Sequence, residues 1–131
     1  MNLLLDTDVL IYFLRGDKRI KALLLFDDRF YYSAVTKKEL LKKPGLSLAE
    51  EETIMRLLNR LRQAPVDGKI ASLADELFKK HRRKGLNIPD ALIAATALTR
   101  RFILVTFNRK HFHFIPQLIL FPADSLSRLE E

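Results

Sequence analysis

Apolar and polar positions fall in blocks along this chain, and the length and period of each block predict its structure. Asn2 to Leu5 is a short continuous apolar run that stops at an acid, the pattern of a strand buried on both faces. Val9 to Leu14 predicts a helix, with Asp8 placed as its N-cap. Lys18 to Phe26 is a second helical pattern, ended by the turn-like "DDR". "FYYSAV", Phe30 to Val35, is aromatic and β-branched enough for a second strand, and "TKKELLKK" follows as a short helix stopped by Pro44 and Gly45. Ser47 is placed to cap an amphipathic helix running to about Arg62, with Leu48, Ile54, Leu57, Leu58 and Leu61 on its apolar face. "APVD" reads as a minor strand. Lys69 to Lys84 predicts a helix with Ile70, Leu73, Ala74, Leu77 and Phe78 turned inward and Gly85 as its stop. "IPDALIAATALTRR" is a further helix with Pro89 in its first turn. "FILVT", Phe102 to Thr106, is a buried strand and "LILF", Leu118 to Phe121, a last one.

Strands alternating with helices predict an α/β fold around a mainly parallel sheet of four to five strands. A length of 131 residues fits one domain over 1–131, with "LSRLEE" as a frayed tail. There is no internal repeat, low-complexity tract or linker. A hydrophobic fraction of 48% against 30% charged residues provides a full core and argues against disorder. The formal net charge of +7 favours polyanionic partners, because Lys and Arg set against phosphates release condensed counterions. With no cysteine, disulfides and thiolate chemistry are excluded, and a metal must be held by oxygen or imidazole. Asp6 and Asp8 interrupt the first apolar run, which is therefore expected to be neither signal peptide nor membrane span; the expected location is the cytoplasm.

Ligands of open parallel sheets bind beyond the carboxyl ends of the strands. Asp6 follows the first predicted strand, Ser33 and Thr36 close the second, and Thr106 and Asn108 follow "ILV". Glu39 lies one helical turn after Thr36, and Asp90 sits in the first turn of the helix leading to "FILV". Three acids from distant segments, Asp6, Glu39 and Asp90, are thus expected on one rim. A hard cation such as Mg2+ takes oxygen ligands and keeps several waters, so two or three carboxylates suffice to hold it. Each acid also has a plain structural explanation. "TKKE" spells a capping box between Thr36 and Glu39, Asp90 complements a helix dipole, and Asp8 is a cap. Asp6, directly after a buried strand, has the least local purpose.

Four blocks in order, "LLLDTDVLI", "SAVTKKEL", "IPDALIAATAL" and "LVTFNRKHF", resemble the PIN-domain ribonucleases, most of all the VapC-type toxins of toxin–antitoxin pairs. The resemblance spans Leu3 to about Leu118. It implies that Asp6, Glu39 and Asp90 are acidic metal ligands and that Asn108 takes the place of a further Asp or Asn, with Thr106 opening the same motif. Ser33 and Thr106 are then supporting residues, and Asp8 stands where Asn or Ser is common. Asn108 departs from the fully acidic version and brings no charge. The implied activity is Mg2+- or Mn2+-dependent endoribonuclease: in-line attack of metal-activated water on an RNA phosphodiester, with the 3′ oxygen leaving. Structured RNAs such as tRNA or rRNA, a VapB-type antitoxin and a homodimer are the implied partners.

The remaining charged and aromatic residues divide between rim and scaffold. Arg100, Arg101, Arg109 and Lys110 are expected to flank the rim as phosphate contacts, with Lys37 and Lys38 beside Glu39. "KKHRRKG", residues 79–85, is the densest basic run; a solvated helix end is its plainer explanation and an RNA-backbone contact its functional one. His81, His111 and His113 are expected in structural or surface roles, with "HFHF" on one strand face, and Tyr12, Phe13, Tyr31 and Tyr32 in core or dimer contacts. Two rivals differ in chemistry. A haloacid-dehalogenase-type phosphatase would use Asp6 as nucleophile and Asp8 as acid–base, but no acid lies between Asp90 and Asp124 to complete such a site. A PIN domain that binds RNA or protein without cutting would have Asn108 as the mark of lost activity.

Overall fold

The computed structural model describes residues 1–26 and 28–128. Four parallel strands form one sheet in the order β3-β2-β1-β4: β1 (Asn2–Leu5), β2 (Arg29–Ser33), β3 (Arg62–Ala64) and β4 (Ile103–Val105). Leu3 pairs with Phe30 and Ile103, and Leu4 with Tyr31 and Leu104, so β1 is central. Its leucines alternate between two cores, as a period of two demands. Leu4 joins Ala64, Ile70, Ala94, Leu104 and Phe112 on one face, under α5 (Gly68–His81) and α6 (Ile88–Arg100). Leu3 and Leu5 join Val9, Leu10, Ile20, Leu57, Leu58 and Val105 on the other, under α1 (Thr7–Leu14), α2 (Lys18–Leu23), α3 (Ala34–Leu41) and α4 (Leu48–Asn59). All three leucines are fully buried, and each contributes roughly 1.5–3 kcal/mol of apolar transfer. The second core also takes Leu126 from the short terminal helix α7 (Ala123–Arg128).

Several boundaries differ from the sequence expectation, each for a local reason. Asp6, not Asp8, caps α1: its backbone is extended (φ −65°, ψ 157°) and its side chain accepts from the Thr7 N–H. Ser33 caps α3 by accepting from the Val35 N–H, so β2 ends at Ser33, and Ala34 and Val35, expected in the strand, are helical. Thr36 therefore lies inside α3, and the capping box between Thr36 and Glu39 does not form. The box at Ser47 and Glu50 does form, but α4 stops at Asn59. β3 precedes "APVD", sharing only Ala64 with it. "LILF" contributes only an isolated bridge, Leu120 to Leu104. "HFHF" is no strand; its first histidine closes a 3-10 turn at Arg109–His111. Asp27 of "DDR" and residues 129–131 of "LSRLEE" lie outside the described residues, while the start of that tail belongs to α7. No described helix is long and apolar enough to cross a membrane.

The strand order sets the position of the site. From β1 the chain winds outward through β2 and β3, then returns to place β4 on the other side of β1. The connections thus diverge between β1 and β4, and a crevice opens there at the carboxyl ends.

Candidate active site

Asp6 stands at that crevice, one residue beyond β1, and is 4% exposed. Its backbone N–H donates to Val105 O at 2.9 Å, which ties the end of β1 to the end of β4. Its Oδ1 accepts from the Thr7 N–H and its Oδ2 from the Thr106 hydroxyl, both at 2.8 Å. The Thr106 oxygen in turn accepts the Asn108 N–H at 3.0 Å, fixing the backbone that presents Asn108. The Asn108 side chain makes no capping bond.

Asp8, in the first turn of α1, accepts the Phe107 N–H on Oδ2 at 3.1 Å, while its Oδ1 is buried without a partner. Asp90 is brought up by α6. Asn87 caps that helix by accepting the Asp90 N–H at 2.8 Å, leaving the Asp90 carboxylate free for other work. Asp90 Oδ2 lies 3.4 Å from His111 Nδ1. Glu39, on the exposed side of α3, reaches the same region through a hydroxyl. Its Oε1 accepts from Thr7 Oγ1 at 2.8 Å, and Thr7 Oγ1 is 2.9 Å from the hydroxyl of the fully buried Thr36.

The charges on this rim are under-compensated. Burial, and then the negative charge of Asp8, push the Asp6 carboxyl up to about 7 against an ordinary 3.8. Asp90 is pushed up to about 6, by burial first and then by repulsion from Asp6 and Glu39, against the opposing pull of His111. Burial raises Asp8 as well, with a contribution from Asp90. Four acids from three segments therefore sense one another across the crevice.

These acids do not form a closed cage: among the described residues no three Asp, Glu or His side chains are already gathered around one point. They do suit a hard divalent cation. The donors are all oxygen, two carboxyls resist ionisation, and Asp8 Oδ1 is an unpaired buried acceptor. A cation of this kind is commonly held by one or two carboxylates plus water.

Other predicted residues are placed elsewhere or otherwise engaged. Ser33 is fully buried as the α3 cap. The Arg109 guanidinium donates from Nη1 to Phe121 O at 2.9 Å, so it ties down the chain after β4 instead of simply flanking the rim. Arg100 and Arg101 do not flank the rim. They close α6 and precede β4, which puts them at the amino edge of the sheet, about 15 Å along the helix from Asp90. Lys38 and Lys110 are exposed and Lys37 is half-buried. Thr7 and His111 were not predicted as site residues. The signal for Thr7 is its place between two acids in "DTD"; His111 becomes legible only once the 3-10 turn aims it at Asp90. A groove of about 530 Å3 opens beside Glu39, bordered by Ile11, Leu14, Leu40, Leu46 and Ile54.

A parallel sheet with acids at its switch point defines an α/β domain with a candidate acidic site, and the sequence narrows the class. The PIN domain pattern matches residues 3–115, and the chain belongs to that family. It is a homologue of the VapC proteins: it is 35% identical over 121 residues to ribonuclease VapC10 of Mycobacterium tuberculosis, spanning 88% of this chain and 90% of that one. It is 31% identical over 128 residues to ribonuclease VapC of Rickettsia bellii, spanning 90% and 93%. The fold is similar to that in the crystal structure of DNA-bound VapBC from Salmonella typhimurium, with a TM-score of 0.81 and 25% identity over 92% of this chain and 97% of that one. Membership of this family displaces the phosphatase alternative, and Asp8 is bound to the Phe107 N–H instead of standing free as an acid–base.

Proposed function

We propose that the chain is a VapC-type endoribonuclease toxin that uses Mg2+ or Mn2+ to hydrolyse RNA phosphodiester bonds and is restrained by a VapB-type antitoxin. The observation that supports this is electrostatic: burial and the repulsion of Asp8 push up the Asp6 carboxyl, and burial and the repulsion of Asp6 and Glu39 push up that of Asp90. The named VapC relatives support the same activity.

Asp6 and Asp90 are the residues to hold the cation, with Glu39 and Asp8 beside them. When bound, such a cation supplies polarisation of a phosphodiester oxygen and a lowered pKa for water. The chain's own residues do the positioning. Thr106 and the Thr7 N–H fix both oxygens of Asp6, and Asn87 and His111 orient Asp90. Thr36 and Thr7 form a hydroxyl relay that aims Glu39. Asn108, its backbone pinned by Thr106, presents an uncharged amide that can hold a phosphate oxygen or a water without adding to the repulsion. The step breaks the bond from phosphorus to the 3′ oxygen as water adds on the opposite side. An apolar antitoxin segment seated in the groove beside Glu39 would cover the rim, and a homodimer is the proposed assembly.

The test is cleavage of a panel of labelled RNAs by antitoxin-free protein with Mn2+. Wild type should cut, EDTA should stop it, and Asp90→Asn should lower the rate by on the order of a hundredfold or more, several kcal/mol of lost charge stabilisation. Cleavage that persists in EDTA, or no cleavage of any RNA, would overturn the proposal.

A further inference from the structure

The densest positive run, "KKHRRKG" at residues 79–85, acquires a definite place in the fold. Arg82–Lys84 forms an exposed 3-10 turn at the end of α5, closed by Gly85 in the left-handed region at φ 98°. Two residues later Asn87 caps α6, the helix that carries Asp90 to the rim. Lys79 is paired with Asp75 at 2.9 Å. Among the described residues no ion pair engages Lys80, Arg82, Arg83 or Lys84.

Ring contacts join this turn to the site. Lys84 Nζ lies 5.7 Å from the centre of the Phe114 ring, which packs against His81 at 5.2 Å and His113 at 5.6 Å. The segment that carries Phe114 also carries exposed Lys110 and half-buried His111, and His111 meets Asp90. An exposed band therefore runs from Lys80, Arg82, Arg83 and Lys84 across Phe114 to Lys110, ending beside the rim. Beneath it His81 is 4% exposed with neither ring nitrogen hydrogen-bonded. Burial, followed by Lys84 and Lys80, lowers its pKa, so the charge of the band comes from Lys and Arg.

We propose that this band is the track that holds the sugar–phosphate backbone of RNA on the Asp90 side of the rim. The inference rests on the ribonuclease reading and gives its substrate a direction of approach. A polyanion drawn towards four acids needs cations close by, and counterion release provides the attraction. The sequence offered both this run and Arg100 and Arg101 as phosphate contacts, but the latter two lie at the opposite edge of the sheet. The two Arg–Arg pairs thus form a matched experiment, equal in charge and different in place.

Full-length wild type, Arg82→Gln/Arg83→Gln and Arg100→Gln/Arg101→Gln are titrated against a fluorescein-labelled mixed-sequence single-stranded RNA by anisotropy. EDTA prevents cutting, the pH is held fixed, and the salt concentration is varied. The band variant should lose about 10–30-fold in affinity near 0.1 M salt, with a slope of log K against log salt shallower by about 1.4, or roughly 0.7 for each charge removed. The far-edge variant should follow wild type. Lys110→Gln, at the other end of the band, should flatten the slope by about 0.7 on its own. Equal losses for the two Arg pairs, or a larger loss at the far edge, would overturn the track. Wild-type cleavage in Mn2+ separates the two claims. A protein that cuts RNA but binds it equally well without the band refutes the band alone. One that binds through the band but cuts nothing refutes the nuclease reading alone.

Discussion

Asp6→Asn should make the metal-free protein more stable while removing its activity. In the folded chain the Asp6 carboxyl holds its proton up to about 7, against 3.8 for an unburied group. The native state therefore binds more protons than the unfolded state between those values, and stability falls as pH rises through that window. A displacement of about three units corresponds to roughly 4 kcal/mol of strain once the group is ionised, fully present above pH of about 8 and absent below about 3.5. An amide carries no charge, and its oxygen can keep the Thr7 N–H bond. Its NH2, however, faces Thr106, whose hydroxyl loses its acceptor at a cost of about 1 kcal/mol. The net gain is about 2–3 kcal/mol near pH 8, or about 8 °C in Tm for a chain of this size. Near pH 4 the gain vanishes and the variant becomes slightly weaker. Chemical denaturation of both proteins in EDTA at the two pH values measures this directly. Adding Mn2+ should then narrow or reverse the order, because an ion at about a hundred times its Kd stabilises wild type by about 2.7 kcal/mol. A variant less stable than wild type at pH 8 in EDTA, or a difference independent of pH, would refute the reasoning.

Other perturbations follow from single contacts. Thr106→Val keeps the shape but leaves Asp6 Oδ2 without its donor and the Asn108 N–H without its acceptor, so urea denaturation should show a loss of about 1–3 kcal/mol. Replacing both nitrogens of the buried, unpaired His81 with hydrocarbon, as in His81→Leu, should raise stability by about 1 kcal/mol and leave RNA cleavage unchanged. Thr7→Val breaks the relay to Glu39 and should lower kcat more than it changes the melting temperature, which parallel cleavage and thermal melts would show.

The parts of the fold that were legible in the sequence are those where one physical signal dominates. β1 carries three fully buried leucines in a row that stop at an acid, a pattern that fits a strand covered on both faces. The cap at Ser47, Pro89 in the first turn of α6 and the stop at Gly85 followed from side-chain and backbone chemistry at single positions. Where two signals competed, the boundary moved. "SAV" has strand-forming residues, but Ser33 was worth more as a cap, and α3 began at Ala34, two residues before the expected start at Thr36. β3 is a short edge strand with exposed Arg62 and Gln63, so no apolar alternation marked it. "LILF" lies between Pro116 and Pro122, and only Leu120 bridges to the sheet.

The site shows the same division. An acid placed directly after the most buried strand pointed to Asp6, and the first turn of α6 pointed to Asp90. What could not be read was orientation. Asp6 is both the cap of α1 and an acid at the crevice, Thr7 links Glu39 to it, and the direction of α6 puts Arg100 and Arg101 at the amino edge of the sheet, whereas Arg82 and Arg83 lie in the turn that precedes α6.

Calorimetric titration of Mn2+ into wild type, Asp6→Asn, Asp90→Asn and Glu39→Gln is the most direct measurement. Wild type should bind saturably with release of protons near pH 6.5, where Asp6 and Asp90 are partly protonated. Asp6→Asn and Asp90→Asn should each weaken binding at least about tenfold, with a smaller effect at exposed Glu39. No saturable binding by wild type, or equal binding by all four proteins, would contradict the shared cation on which the whole account is built.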